Sequence, residues 1–221
     1  MISFIAGLYL TSLLAICANS ADAKDFFDTS SPDKTFSLGA RIGLNCSNQT
    51  HNKDFTKLNL DKWGTGFDAG VICDINFKNF ISVQPGFFFE SRSHDYAYIY
   101  NYLPTENLEY GHTRFYSFTV PVLASLKLYP ADFIRWSIDL GPYFQFGISG
   151  SDKGVSNSID FKDGYFDNRK KFDVGLKLGT GVTLFDHYYL GIHYSTGFNN
   201  VYKDLYGGHH KAWTMTIGYD F

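Results

Sequence analysis

The chain has 221 residues, enough for one large domain or two small ones, and it carries 22 Phe, 16 Tyr and 3 Trp beside 21 Gly. Its formal net charge of −3 removes the electrostatic basis for nucleic-acid binding. A mean hydropathy of −0.17 fits a soluble protein, and equally a membrane β-barrel, which hides its apolar residues at every second position.

The N-terminus reads as an export signal. An apolar run from Ile2 to Ala18 is followed by Ala21 and Ala23 in the A-x-A spacing of a cleavage site, which predicts a signal peptide over residues 1–23. The run is near the lower length limit for a membrane helix, and the cleavage pattern argues against one. No Lys or Arg precedes it, and Ile16 is too bulky for lipoprotein processing at Cys17. Residues 24–34 then form a short periplasmic segment, and 35–221 a single barrel domain. Cys46 and Cys73 remain after cleavage; they sit at different heights on neighbouring strands, so no disulfide is expected.

Eight segments with period-2 alternation follow in order. The first, TFSLGARIGLNC, sets Phe36, Leu38, Ala40, Ile42 and Leu44 against Ser37, Gly39, Arg41, Gly43 and Asn45. The second, GFDAGVICDINF, sets Phe67, Ala69, Val71, Cys73 and Ile75 against Asp68, Gly70, Asp74 and Asn76. The third runs from Ile81 to Glu90, with Phe87 and Phe89 opposite Gly86 and Glu90. FTVPVLASLKL, WSIDLGPYFQFGI, FDVGLKLGTGVTL and YYLGIHYST are the next four, and WTMTIGYDF is the eighth. None of the eight places Asp, Glu, Lys or Arg on its apolar face. The ionisable residues all fall opposite: Arg41, Asp68, Asp74, Glu90, Lys127, Asp139, Asp173, Lys177, His193 and Asp220.

Connections alternate between short (KN, YPADFIR, FDH) and long, as in outer-membrane barrels with short periplasmic turns and long extracellular loops. Alternation alone does not say which face meets lipid, and a soluble lipocalin-like carrier would turn the apolar face inward. Two features favour the membrane. The polar face is small and glycine-rich, as the narrow lumen of eight strands requires. Aromatic residues, among them Tyr129, Trp136, Tyr188, Trp213 and Tyr219, gather at strand ends, where girdles sit. The predicted fold is therefore all-β, an eight-stranded antiparallel up-and-down transmembrane barrel of the outer membrane. In such a barrel the last strand pairs with the first. Gly218, Tyr219 and Phe221 then make an aromatic strand end of the kind read by the barrel-assembly machinery.

Three stretches carry a family resemblance: FTVPVLASLKLYP, DLGPYFQFGISG, and RKKFDVGLKLGTGVTL with LGIHYSTGFNNV. The last is the most specific, with Asp173 and Gly175, Gly179 and Gly181, then Tyr194 and Gly197. Together they resemble the PorT-like family of outer-membrane β-barrel proteins. The resemblance implies an eight-stranded barrel in the cell envelope of a Gram-negative bacterium, and founding members tied to protein secretion; it brings no catalytic residues. Pro121 and Pro142 fall inside strands, where bulges are the expected remedy.

Chemistry is sparse. His193 and Ser195 resemble the His-x-Ser of lipid A deacylases, in which His activates Ser toward an ester. Here Thr196 replaces the Asn that continues that motif, and the register turns both residues inward. A lipid A-modifying enzyme is the alternative reading; a non-enzymatic role is the favoured one. The adjacent histidines of Gly207–His210 and the Asp160, Asp163, Asp167 group lack ligand-cage spacing, so no metal and no cofactor is expected. Arg41, Lys127 and Lys177 are expected to pair with Asp68, Asp74, Glu90, Asp139 and Asp173 in the lumen. Tyr96, Tyr98, Tyr100 and Tyr102 share one face of a strand extension above the membrane and form a possible recognition surface. Expected partners are the lipid bilayer, the assembly machinery, and a protein or glycan at the extracellular loops.

Overall fold

Alternating faces can be satisfied only if every strand edge is paired, and this chain does so by closing into a ring. The computed structural model describes residues 27–32, 34–50, 56–59, 62–100, 108–156, 159–203 and 208–221, with side chains of 56–59, 98–100 and 108 left aside. The predicted signal peptide, residues 1–23, lies outside them. Among the described residues there are ten strands: β1 (Phe36–Gln49), β2 (Thr56–Asn59), β3 (Lys62–Lys78), β4 (Ile81–Tyr100), β5 (Leu108–Ala131), β6 (Ile134–Ser156), β7 (Ile159–Gly164), β8 (Phe172–Leu184), β9 (Tyr188–Gly197) and β10 (His210–Asp220). Eight of them make the ring, in the order β1–β3–β4–β5–β6–β8–β9–β10, and β10 returns to β1. Closure runs in continuous antiparallel register from Gly39 opposite Asp220 to Gln49 opposite His210. A closed ring leaves no spanning edge, the condition for a sheet in hydrocarbon.

The two faces separate as the alternation requires. Ile42, Leu44, Val71, Leu140, Leu178, Leu190, Met215 and Ile217 point outward and are exposed, whereas Arg41, Asp68, Lys127, Asp139, Asp173 and Lys177 are buried inside. Exposed leucine beside buried aspartate inverts the arrangement of a water-soluble barrel. The surrounding medium is therefore lipid.

Strands β4, β5 and β6 run well past the ring, further than the predicted segments. With β2 on one flank and β7 on the other they form a five-stranded wing above one side of the barrel. Two bulges adjust it. One falls between Trp63 and Phe67 in β3; the other sets Tyr116 and Ser117 opposite Ser149 and Gly147, leaving Ile148 as an extra residue in β6. The second bulge reverses the alternation: below it Asp139 and Gln145 face the lumen, above it Asp152 does.

The prolines correct an expectation. No bulge accompanies Pro121 or Pro142; the registers of β4–β5 and β5–β6 continue unshifted through both. Instead each is skipped on one seam only: Pro121 against Gly86 of β4, Pro142 against Val122 of β5, and Pro85 likewise against Cys73 of β3. Pro85 stands beside Val122, and Pro142 faces Val122 from the other side, so three neighbouring strands lose a donor at one height.

At the opposite end the turns are short. Phe185 and Asp186 take positive φ of 53° and 61° in the β8–β9 turn. Phe185 is an unusual residue there. It is held by its amide to Phe133 O at 2.9 Å and by ring stacking on Phe133 at 5.8 Å. The segment before β1 hooks over the same end: Asn79 donates to the carboxylate of Asp28 (2.6 Å) and to Ser30 Oγ (2.8 Å). Hydrogen bonds from Ser30, by its hydroxyl and its amide (2.9 Å), and then from Asn79 hold the Asp28 carboxyl below the usual carboxylate range.

Candidate functional site

Each ring strand delivers polar side chains to the lumen at every second position, and the charges meet in layers. Nearest the short turns, Arg41 is ion-paired with Asp220 and lies over the Tyr189 ring at 4.1 Å. Arg135 reaches the other oxygen of Asp220 at 3.1 Å. Gly218 is needed here because a Cβ would strike the Arg41 side chain. Lys127 is ion-paired with Asp74 and donates to Asn76 Oδ1 at 2.5 Å. In the middle, Asp139 accepts from Ser125 (2.6 Å) and Ser137 (3.3 Å) and lies 3.4 Å from His193 Nε2. Higher up, Glu90 pairs with Arg92 at 2.8 Å and accepts from Gln145, which also donates to Ser117. Tyr143 donates to Asp173 at 3.2 Å.

The pairings differ from those expected. Arg41 takes Asp220, and Arg92 takes Glu90. Lys177 lies 5.4 Å above the Phe88 ring, and no carboxylate stands within 4 Å of it among the described residues. Arg92 and Phe88 escaped the sequence reading because the third strand was ended at Glu90 and the centre of a Phe triplet has no marked face. Continuing the alternation would have put both inside.

The extracellular mouth is closed by side chains. Arg169 pairs with Asp152 at 2.8 Å and spreads over the rings of Tyr165 (4.4 Å) and Tyr202 (5.2 Å). Tyr165 stacks on Phe115 at 4.5 Å and donates to Gln49 Oε1. Tyr96 donates to Asp152 at 2.8 Å. Burial pushes the Tyr165 and Tyr96 hydroxyls well up, the latter further through the Asp152 charge, so both stay protonated donors. Tyr96 is therefore part of this closure and is not available as a recognition surface. The side chains of Tyr98 and Tyr100, and all of Tyr102, lie outside the described residues.

His193 and Ser195 both face inward, and each bonds elsewhere. His193 Nε2 meets Asp139 and Tyr189, while Ser195 Oγ donates to Ala212 O at 3.5 Å. No bond joins the two, and neither side chain reaches the lipid side. Asp160 and Asp163 sit on exposed β7, and Asp167 caps the Gly164 amide at 3.0 Å. Among the described residues no cluster of metal ligands forms. Cys46 and Cys73 are free.

At the short-turn end a polar cavity of about 480 Å³ is lined by Lys34, Lys127, Arg135, Asp132 and Asp186, beneath the hooked N-terminal segment. Tyr219 lies against His187 and Phe221 at this rim, and the Phe221 amide donates to Leu38 O at 2.8 Å.

Residues 20–203 match the family described as outer membrane protein beta-barrel domain. The chain belongs to this family. As an outer-membrane β-barrel it is an integral protein of that membrane, and the sequence-derived fold class and location both stand. No curated protein matches it in sequence. Among solved structures it is similar to Ail, the attachment invasion locus protein of Yersinia pestis, in complex with the heparin analogue sucrose octasulfate (16% identity, 85% of this chain and 100% of that one, TM-score 0.44). It is likewise similar to Neisserial surface protein A (11%, 85% and 100%, 0.44) and to OprG of Pseudomonas aeruginosa (10%, 87% and 98%, 0.42).

Proposed function

We propose that this outer-membrane barrel has no enzymatic activity and acts in recognition at the cell surface, with its wing as the presenting element. The observation that carries the reading is the division of labour along the barrel axis. The lumen is filled by charged and polar side chains and its outer mouth is closed by Arg169, Tyr165 and Tyr96, while β4–β7 project a sheet outward. A filled lumen supports no transport role, and inward-facing His193 and Ser195 support no acyl transfer. The PorT-like resemblance adds a link to protein secretion. The export signal over 1–23 and the aromatic strand end at Gly218, Tyr219 and Phe221 supply, in this reading, the route to a Gram-negative outer membrane through the assembly machinery.

The test is a deletion strain, complemented with the wild type or with residues 159–164 replaced by a Gly/Ser linker. Loss of particular surface or secreted proteins in both the deletion and the linker strain supports recognition coupled to secretion. An altered lipid A acylation pattern that depends on His193 would overturn the reading in favour of an enzyme.

A further inference from the structure

The register of the wing places cations in an order that the lumen chemistry does not explain. On its outer face one row crosses five strands: Lys62 opposite Asp95, Asp95 opposite His112, His112 opposite Lys153, and Lys153 opposite Lys162. The bulge at Ile148 creates this row, because it turns Asp152 into the mouth and Lys153 out. Asp95 is taken by His112 at 2.5 Å. Lys153 and Lys162, both exposed, are left directly across from each other on neighbouring strands. Like charges in that position destabilise a sheet unless an anion lies between them. Arg114 is exposed on the same face, one outward position nearer the membrane, and Asp160 stands on the side away from it. Among the described residues neither lysine nor Arg114 has an ion pair or hydrogen bond.

Height selects the anion. Immediately below Arg114 the outer face becomes aromatic: Tyr116 stacks with Phe89 at 5.9 Å, and Phe118 with Phe87 at 5.1 Å. Such a girdle marks the edge of the hydrocarbon. Arg114 stands two residues above Tyr116 and the lysine pair four, roughly 7 and 13 Å along a tilted strand. At a strand tilt of about 35–45° these are heights of about 5 and 10 Å, which put Arg114 within the headgroup layer, about 5–8 Å deep on each side of a bilayer, and the lysine pair at its outer edge.

We propose that the outer face of the wing docks a phosphorylated glycolipid of the outer leaflet, its phosphate held between Lys153 and Lys162 with Arg114 beneath. The site is separate from any recognition at the wing's tip and does not depend on it. Purified barrel in nanodiscs doped with bis-phosphorylated lipid A is examined by native mass spectrometry, beside the Lys153→Gln/Lys162→Gln variant. Lys170→Gln/Lys171→Gln serves as control, since it removes the same charge from exposed positions elsewhere.

The wild type is expected to retain lipid A with at least tenfold higher apparent affinity than Lys153→Gln/Lys162→Gln. Dephosphorylated lipid A should bind the wild type as weakly as phosphorylated lipid A binds that variant, and soluble glucosamine 1-phosphate should not compete. Without lipid A the variant should unfold at a temperature no lower than the wild type, because a repulsion has been removed. Equal retention by wild type and variant, an equal loss in the control, or full competition by the soluble sugar phosphate each overturns the assignment.

Discussion

Lys127→Met offers the most direct measurement of what the lumen charges do. Asp74 is buried; one of its oxygens is bound by Lys127, and Oδ1 has no partner. Removing the lysine leaves a carboxylate without compensation inside the barrel, which costs about 3–5 kcal/mol. Adding Asp74→Asn removes that charge. What remains is the loss of hydrogen bonds, to Asn76 among others, about 1–2 kcal/mol. The double variant should therefore be more stable than Lys127→Met by about 2–3 kcal/mol, so that the two substitutions are strongly non-additive. Asp74→Asn alone should be milder than Lys127→Met, since Lys127 keeps its bond to Asn76 at the edge of the polar cavity at the short-turn end. Urea titration of protein refolded into short-chain lipid vesicles, read by the electrophoretic shift between folded and unfolded barrel, gives all four corners of the cycle. If the two substitutions simply add, the pair is not an electrostatic unit and the argument fails.

Leu140→Arg puts a cation on the lipid face near mid-membrane and should cost about 2–4 kcal/mol in the same titration, whereas Phe221→Arg at the rim should cost about 1 kcal/mol or less. A cysteine at Asp163 should react with an impermeant thiol reagent on whole cells, and one at Asp132 only after the outer membrane is opened; equal labelling would reverse the threading. Arg169→Ala should unseat the Tyr165 and Tyr202 rings and quicken hydrogen exchange of the Tyr165 amide, bonded to Gly150 O at 3.0 Å, and an unchanged rate would show that other residues close the mouth. Because hydrogen bonds hold the Asp28 carboxyl low, its contribution to the N-terminal hook is complete above its unfolded value of 3.8 and is lost as pH falls through its lower folded value; exchange of the Asn79 amide should quicken only in that acidic window.

Much of the ring was legible because both of its periods are written into the chain. The β1–β10 closure could be read from Leu44, Ile42, Met215 and Ile217 alternating with Asn45, Arg41, Thr216 and Gly218, since lipid on one side and a narrow lumen on the other fix every position. The wing was not legible, for a physical reason. Above the membrane both faces meet water or protein, so Thr113, Arg114, Phe115 and Tyr116 carry no clean alternation. The Ile148 bulge also shifts the phase where the pattern is weakest. Partner choice within the lumen was equally hidden. Arg41 could pair with several acids by composition, and only the β1–β10 register sets it beside Asp220. The prolines misled because a bulge is the usual remedy for a lost donor, yet here each loss is left in place.

Those prolines make one sector of the wall mechanically unlike the rest. Opposite Pro85, Pro121 and Pro142, the carbonyls of Cys73, Gly86 and Val122 face a neighbour with no hydrogen to give, on three consecutive seams at one height. Each missing bond lies at membrane depth, where water does not replace it. Behind the sector lies a small cavity where Ile72, Phe88, Pro121 and Leu123 meet Arg41, Lys177 and His193. The Lys127–Asp74 ion pair bridges β5 to β3 across two of these seams, close beside the prolines. What the backbone ladder lacks at this height, a charge pair across the lumen side supplies, so the sector is held from within rather than along the wall.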